Sequence, residues 1–161
     1  MLFRSEEYDV LKDYAELDSG NKAAWTQLMN ACAAGFVSED AYQKVQGNNP
    51  DGARNLALPA LIDIDPFIDY MILHIACGAE DWGSHNWWAG RRRSPEGTGF
   101  HFLTWDQEIS NDLLTRSLCI FGQRFEEVDG PDSPGIVYDK LRRNRTFQIR
   151  FGDRVHRSEE H

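Results

Sequence analysis

The sequence predicts an α+β fold that is mainly α-helical, with one small β-hairpin near the middle of the chain. Apolar residues recur at helical spacing in the first half of the chain and again near its end. Between them, two short aromatic-rich runs flank the turn-forming segment 90–99 (GRRRSPEGTG). With 161 residues, 41% of them hydrophobic, the chain is long enough for one domain with its own core, and we expect a single domain over residues 1–161.

The amino-terminal third is expected to be helical. Asn21 can cap a first helix that ends at Gly35. Its apolar face, spaced i, i+3, i+4 and i+7, is formed by Trp25, Leu28, Met29 and Cys32. Ser38, followed by two acids, opens a shorter helix that carries Tyr42 and Val45. Segment 46–54 (QGNNPDGAR) consists of turn-forming residues and predicts a loop.

A third helix has the strongest signal. Asp65 is a favourable N-cap, Pro66 suits the first helical position, and Gly78 supplies a C-terminal stop. Its apolar stripe is formed by Ile68, Met71, Ile72 and Ile75. This helix delivers the chain into a polar loop over residues 79–86.

Two strands, 86–89 and 100–105, should then pair through the 90–99 connection. A loop with helical patches is expected over 109–125, and 128–135 is expected to be irregular. The end of the chain predicts two helices. Tyr138 and Leu141 lie on the first, and Asn144 caps the second, along which Phe147, Phe151 and Val155 recur every four residues.

The formal net charge of −9 argues against binding nucleic acid, because such binding needs a basic surface. Two clusters are nevertheless basic, Arg91–Arg93 and the segment Lys140–Arg157. We interpret both as faces that balance an acidic remainder, with a site for acidic peptide or phosphate as the alternative. No apolar run approaches the roughly 20 residues needed to span a membrane. Cys32, Cys77 and Cys119 form no CxxC pair and are expected to be reduced core residues.

Three polar residues occur in an order that suits phosphoryl transfer. Asp81 lies in the loop after the third helix, Asn86 follows five residues later, and Asp106 comes directly after the second strand. This order matches the catalytic half of a protein kinase, where a loop acid orients the substrate hydroxyl and the amide and later acid hold magnesium. Hard divalent cations prefer such oxygen ligands. On spacing alone, however, capping and turn formation are the favoured explanation for all three residues.

The same segments resemble a known family. The helix Ile68–Ile75, the loop and strand residues of D-W-x-x-x-N-W (Asp81 to Trp87), and Phe102–Asp106 together resemble the signature of the CotH (spore coat protein H) kinase family. The tail, 141–155 (LRRNRTFQIRFGDRV), is similar to the closing helices of that family, and the resemblance covers roughly residues 25–157. It implies a fold like the C-terminal lobe of a protein kinase.

Carried over to this chain, the resemblance implies that Asp81 is the catalytic-loop acid. Asn86 would be a metal ligand or a loop organiser, Asp106 the metal-binding acid, and Glu108 a supporting metal ligand. The implied activity is ATP-dependent phosphorylation of Ser and Thr hydroxyls in a protein substrate, with Mg²⁺ or Mn²⁺. Trp87 and Trp88 could stack on the adenine, although alternation along a strand places one of the two in the core.

The chain lacks two features of a complete kinase. It has no Gly-rich phosphate loop, and none of its four lysines is set in a strand opposite a helical glutamate. We therefore expect the C-terminal portion of a CotH-type domain without its nucleotide lobe, inactive or weak in isolation. Two alternatives stay open: a non-catalytic surface, spore-coat or interaction module of the same fold, and a metal-dependent hydrolase that uses Asp81, His85 and Asp106.

Overall fold

The computed structural model describes residues 7–77, 79, 82, 85–106 and 132–158, and confirms the α+β class. The strands are β1 (Tyr8–Lys12), β2 (Glu16–Ser19), β3 (Trp87–Arg92) and β4 (His101–Thr104). The helices are α1 (Ala23–Ala34), α2 (Glu39–Val45), α3 (Ile64–Cys77), α4 (Pro134–Leu141) and α5 (Arg145–Ser158). Among these ranges, no helix is both long and apolar enough to cross a membrane.

The strands form one antiparallel sheet in the order β2-β1-β3-β4. The predicted central hairpin is confirmed as β3 and β4, with Ala89 opposite Phe102. Its first strand begins at Trp87, one residue later than expected, and extends to Arg92, inside the predicted connection. Phe100, just before β4, donates its N–H to Leu61 O at 3.0 Å. This bond joins the start of β4 to the segment that precedes α3.

The expectation of a helical amino-terminal third is wrong for residues 8–19, which form β1 and β2. β1 lies between two other strands, and its Asp9 is buried where a strand pattern would place an apolar residue. Asp9 is compensated by Arg91 at 3.3 Å and Arg93 at 3.5 Å. β2 is an edge strand with three exposed residues and no apolar alternation. The strand pattern of β1 is therefore hidden in the sequence, because its buried acid depends on ion pairs with residues far along the chain.

Two of the four predicted N-caps, Ser38 and Asn144, are confirmed. Ser38 Oγ accepts the Ala41 N–H at 3.2 Å, and Asn144 Oδ1 accepts the Phe147 N–H at 3.0 Å. Asn21 is not the N-cap of α1, because that helix begins at Ala23 with Lys22 at the cap position, and Asn21 Oδ1 accepts the Ala23 N–H at 2.9 Å from one residue further back. Helix α3 begins at Ile64, two residues before the predicted first position at Pro66, so Asp65 lies in its first turn and is not its N-cap. Segment 128–135 was expected to be irregular, but α4 already begins at Pro134. Gly78, segment 109–125 and Cys119 lie outside the described residues.

The core lies between the inner face of the sheet and helices α1 and α3. Trp25 of α1 stacks on Trp87 of β3 with ring centroids 5.5 Å apart, and Phe102 of β4 packs against Phe67 of α3 at 5.2 Å. Cys32 is a buried free thiol, as expected, and burial raises its pKa to about 12. Cys77 is also free and is partly buried.

The basic tail packs against acids of α3. Arg150 Nε donates to Asp65 Oδ1 at 2.6 Å, and Arg154 pairs with Asp69 one turn further on. We call these four residues the helical clamp. Together with the pairing of Arg91 and Arg93 with Asp9, the clamp agrees with the interpretation of the basic clusters as charges that balance acids.

Candidate active site

The hairpin brings two of the predicted site residues together. Because Trp87 is paired with Thr104, Asn86 and Trp105 face each other one step beyond the ladder. The Trp105 N–H donates to Asn86 O at 3.3 Å, and Asp106 is the next residue. Asn86 and Asp106 are 20 positions apart in the sequence, yet they emerge from the same end of adjacent strands.

The backbone is unusual at this end of the sheet. Asn86 has φ of 63° and Asp106 has φ of 54°, in the left-handed region that most residues avoid. Two further examples, Tyr14 and Ala15, lie in the 3₁₀ turn between β1 and β2. Only one other non-glycine residue of the described ranges, Asp132, has a positive φ. Strained conformations concentrate at functional sites, where the surrounding structure maintains them.

The β1–β2 turn belongs to the same region. Asp13 Oδ1 accepts the Trp87 N–H at 3.2 Å, and the Tyr14 ring stacks on His85 with centroids 5.8 Å apart. We call Asp13–Ala15, His85–Asn86 and Trp105–Asp106 the loop end of the sheet. Sequence reasoning missed Asp13 and Tyr14. Their contacts join residues more than 70 positions apart, so only a prediction of the β1–β3 pairing could have found them.

The side chains at this end are suited to hold a hard cation. The Asp106 carboxylate is exposed, and neither it nor the Asn86 amide has a hydrogen-bond partner within the described part of the chain. Both offer oxygen ligands of the kind that Mg²⁺ and Mn²⁺ prefer. The described residues contain no cluster of three His, Cys, Asp or Glu side chains, and Asp81 and Glu108 lie outside them.

The two tryptophans point to opposite faces of β3. Trp87 has no exposed surface and contributes to the core, so its ring has no free face for a nucleotide. Trp88 is partly exposed on the outer face of the sheet. Its ring lies 6.0 Å from Lys12 Nζ and 6.5 Å from the Trp105 ring. Adenine stacking is therefore retained as a hypothesis for Trp88 alone.

A buried histidine contacts Ala79 and Trp82, the described residues on either side of Asp81 in the sequence. His74 Nδ1 lies 2.8 Å from Tyr70 O, so Nδ1 carries the proton. Burial lowers the pKa of His74, while the bond to Tyr70 O partly opposes this. Its carbonyl accepts the Ala79 N–H at 3.1 Å, and its ring packs 5.5 Å from buried Trp82. His74 is thus a neutral packing residue that contacts Ala79 and Trp82.

Comparison with known proteins identifies the family. Residues 3–160 match the family model described as CotH kinase protein, which is nearly the whole chain. No curated protein and no solved structure matches. The chain belongs to the CotH kinase family, and is therefore a kinase-like protein.

Proposed function

We propose that this chain is the catalytic-loop lobe of a CotH-type protein kinase, which transfers phosphoryl groups from ATP to Ser and Thr hydroxyls of a protein substrate. The observation that carries the proposal is the meeting of Asn86 and Asp106 at one end of the hairpin, with their side-chain oxygens unpaired among the described residues. A protein that used these side chains only as caps would pair them with nearby backbone groups.

In this proposal, Asp106 and Asn86 hold the divalent cation, with support from Glu108. The ion, Mg²⁺ or Mn²⁺, supplies neutralisation of the negative charge on the triphosphate. Asp81 orients the acceptor hydroxyl, and the partly exposed Trp88 offers a stacking surface for the base. The proposed fold is that of the C-terminal lobe of a kinase. In it, α3 precedes the catalytic loop and the hairpin β3–β4 precedes Asp106.

Clamping of the triphosphate is assigned to a part other than this chain. Lys12 pairs with Glu16 of the neighbouring strand at 3.7 Å, and Lys140 pairs with Asp139 at 3.2 Å. Lys22 and Lys44 are exposed. Within the described part of the chain, none of the four pairs with a helical glutamate, as a phosphate-binding lysine would. We therefore expect this chain to bind the cation measurably and ATP only weakly.

Cation binding by the chain itself is the first test. Mn²⁺ titration, followed by water-proton relaxation, should show one site that Asp106→Asn weakens at least about tenfold. Asp132→Asn is the matched control, because Asp132 is also exposed and also has a left-handed φ, of 60°, but lies two residues before α4 and not at a strand end. Equal Mn²⁺ affinity in wild type and Asp106→Asn would refute the metal assignment.

The second test measures phosphoryl transfer from labelled ATP. It uses a protein that contains this chain together with a nucleotide lobe. Asp106→Asn and Asp81→Ala should each reduce the rate by about 100-fold or more, since positioning and charge neutralisation provide most of the catalysis. Cation binding without any transfer would favour the non-catalytic interaction module. Release of phosphate to water without transfer would favour the hydrolase.

A further inference from the structure

One peptide group connects the β1–β2 turn to both proposed cation ligands. The group between Asn86 and Trp87 donates its N–H to Asp13 Oδ1 at 3.2 Å. Its C=O, which belongs to Asn86, accepts the Trp105 N–H at 3.3 Å. Both hydrogen-bonding atoms of this single peptide group are therefore fixed, one by the β1–β2 turn and the other by the residue before Asp106.

This arrangement acts on the residues whose backbone is least favourable. Asn86 and Asp106 both have left-handed φ values, so each needs neighbouring contacts to maintain its conformation. The Trp87 N–H needs only an acceptor oxygen at this position, and the Asp13 side chain supplies one. The turn makes a second contact on the other side of Asn86, where Tyr14 stacks on His85. The turn thus holds Asn86 from both of its sequence neighbours.

We infer that Asp13 is a positioning residue for the cation site. It orients the peptide group between Asn86 and Trp87 and, through the bond from the Trp105 N–H to Asn86 O, fixes the residue that precedes Asp106. The inference rests on the proposed function, because it assigns Asn86 and Asp106 to the cation. Asp13 acts as a hydrogen-bond acceptor and not through its charge. Residues that orient metal ligands affect affinity even though they do not touch the metal.

The variants Asp13→Ala and Asp13→Asn separate these roles, since Asn retains an acceptor oxygen and Ala does not. In Asp13→Ala, the Trp87 and Trp105 amide hydrogens should exchange about tenfold faster, and Mn²⁺ affinity should fall by about tenfold. In Asp13→Asn, both should stay within about twofold of wild type. Ser38→Ala is the control, because it also removes one side-chain acceptor from a backbone N–H, at the α2 cap.

Three results would overturn the inference. In the first, Asp13→Ala leaves the Trp105 amide and Mn²⁺ affinity unchanged. In the second, Asp13→Asn weakens Mn²⁺ as much as Asp13→Ala does, which would indicate a role for charge. In the third, Ser38→Ala changes the same two measurements, which would indicate a general loss of stability. If the wild type binds no Mn²⁺, the proposed function fails, and the Trp105 amide alone decides whether Asp13 organises this end of the sheet.

Discussion

The helical clamp and the loop end of the sheet use polar residues in opposite ways. In the clamp, Asp65 and Asp69 each pair with an arginine of α5, and the helices that carry them have ordinary backbone geometry. At the loop end, Asp106 and Asn86 have left-handed backbones and side chains without partners in the described ranges. The one acid there with a fixed partner, Asp13, binds backbone and no arginine.

This difference distinguishes polar groups that stabilise the fold from polar groups that are available to a ligand. Paired acids and arginines satisfy one another, so nothing further is needed at the clamp. At the loop end, the left-handed backbone at Asn86 and Asp106 lowers stability, and such strain is kept only where a function requires it. We therefore expect changes in the helical half to alter unfolding and changes at the loop end to alter cation binding.

The largest expected effect on stability is at Asn144, which is buried beside α5. Its Oδ1 caps α5, and its Nδ2 donates to Phe36 O at 2.9 Å. Asn144→Ala loses the cap and leaves the buried Phe36 carbonyl unpaired, so the free energy of unfolding should fall by about 2–4 kcal/mol. Urea denaturation provides the measurement.

Asn144→Ser serves as the paired variant, because a serine retains the cap oxygen but cannot reach Phe36 O. About half of the loss should be recovered. Mn²⁺ affinity of the folded protein should be the same in both variants as in wild type. A large change in that affinity would contradict the division between the two regions.

The elements that were predictable are those whose signals are local. The side chains of Ser38 and Asn144 each cap the helix that follows by accepting the backbone N–H three residues ahead. The aromatic runs of β3 and β4 lie on either side of a turn-forming connection. Strand β1 could not be predicted in this way. Its buried Asp9 is acceptable only because Arg91 and Arg93, more than 80 positions away, lie beside it.

The candidate site was predictable to the same extent. The order of Asn86, hairpin and Asp106 indicated which residues would meet, because the two ends of a hairpin must be adjacent. The contribution of Asp13 was not visible, since it depends on β1 pairing with β3, a contact that no sequence period reports. The left-handed φ values were likewise unpredicted at Asn86 and Asp106, although Asn and Asp tolerate that region best.

Substitutions of Asn86 should have effects of intermediate size on stability and Mn²⁺ affinity. They decide whether Asn86 is a metal ligand or only organises the loop. Asn86→Gly removes the amide oxygen but suits the φ of 63°, so stability should equal or exceed that of wild type. Asn86→Ala removes the oxygen and keeps the strain, which should make it about 1 kcal/mol less stable than the glycine variant. Both should lose Mn²⁺ affinity, by about tenfold.

Urea denaturation and Mn²⁺ titration of the same samples give both quantities. If Asn86→Gly bound Mn²⁺ like wild type, Asn86 would be a loop organiser and the ligand assignment would be wrong. Asp132→Gly is the control, since it replaces another left-handed residue, which lies two residues before α4. It should change stability alone.

The smallest expected effect concerns the clamp and its dependence on pH. The Arg150 guanidinium bonded to Asp65 holds the pKa of that carboxyl below its usual range. A lowered folded-state pKa contributes stability above the unfolded value of about 3.9, and this stability is lost as pH falls through the lower, folded value. At neutral pH, Asp65→Asn should therefore be less stable than wild type.

Because the Asp65 side chain is 44% exposed, solvent screens the pair, and the difference should be less than about 1 kcal/mol. The difference should be constant from pH 7 to about 5 and should close only below pH 4, where the wild-type carboxyl takes up its proton. Asp18→Asn makes the same change in net charge at an exposed position of β2 and is the matched control. Urea denaturation at each pH tests this. Two outcomes would contradict this prediction: a difference that stays constant down to pH 3, or one that matches Asp18→Asn at every pH. Either would mean that the clamp contributes packing but no measurable charge pairing. The contrast with the loop end would then rest on geometry alone.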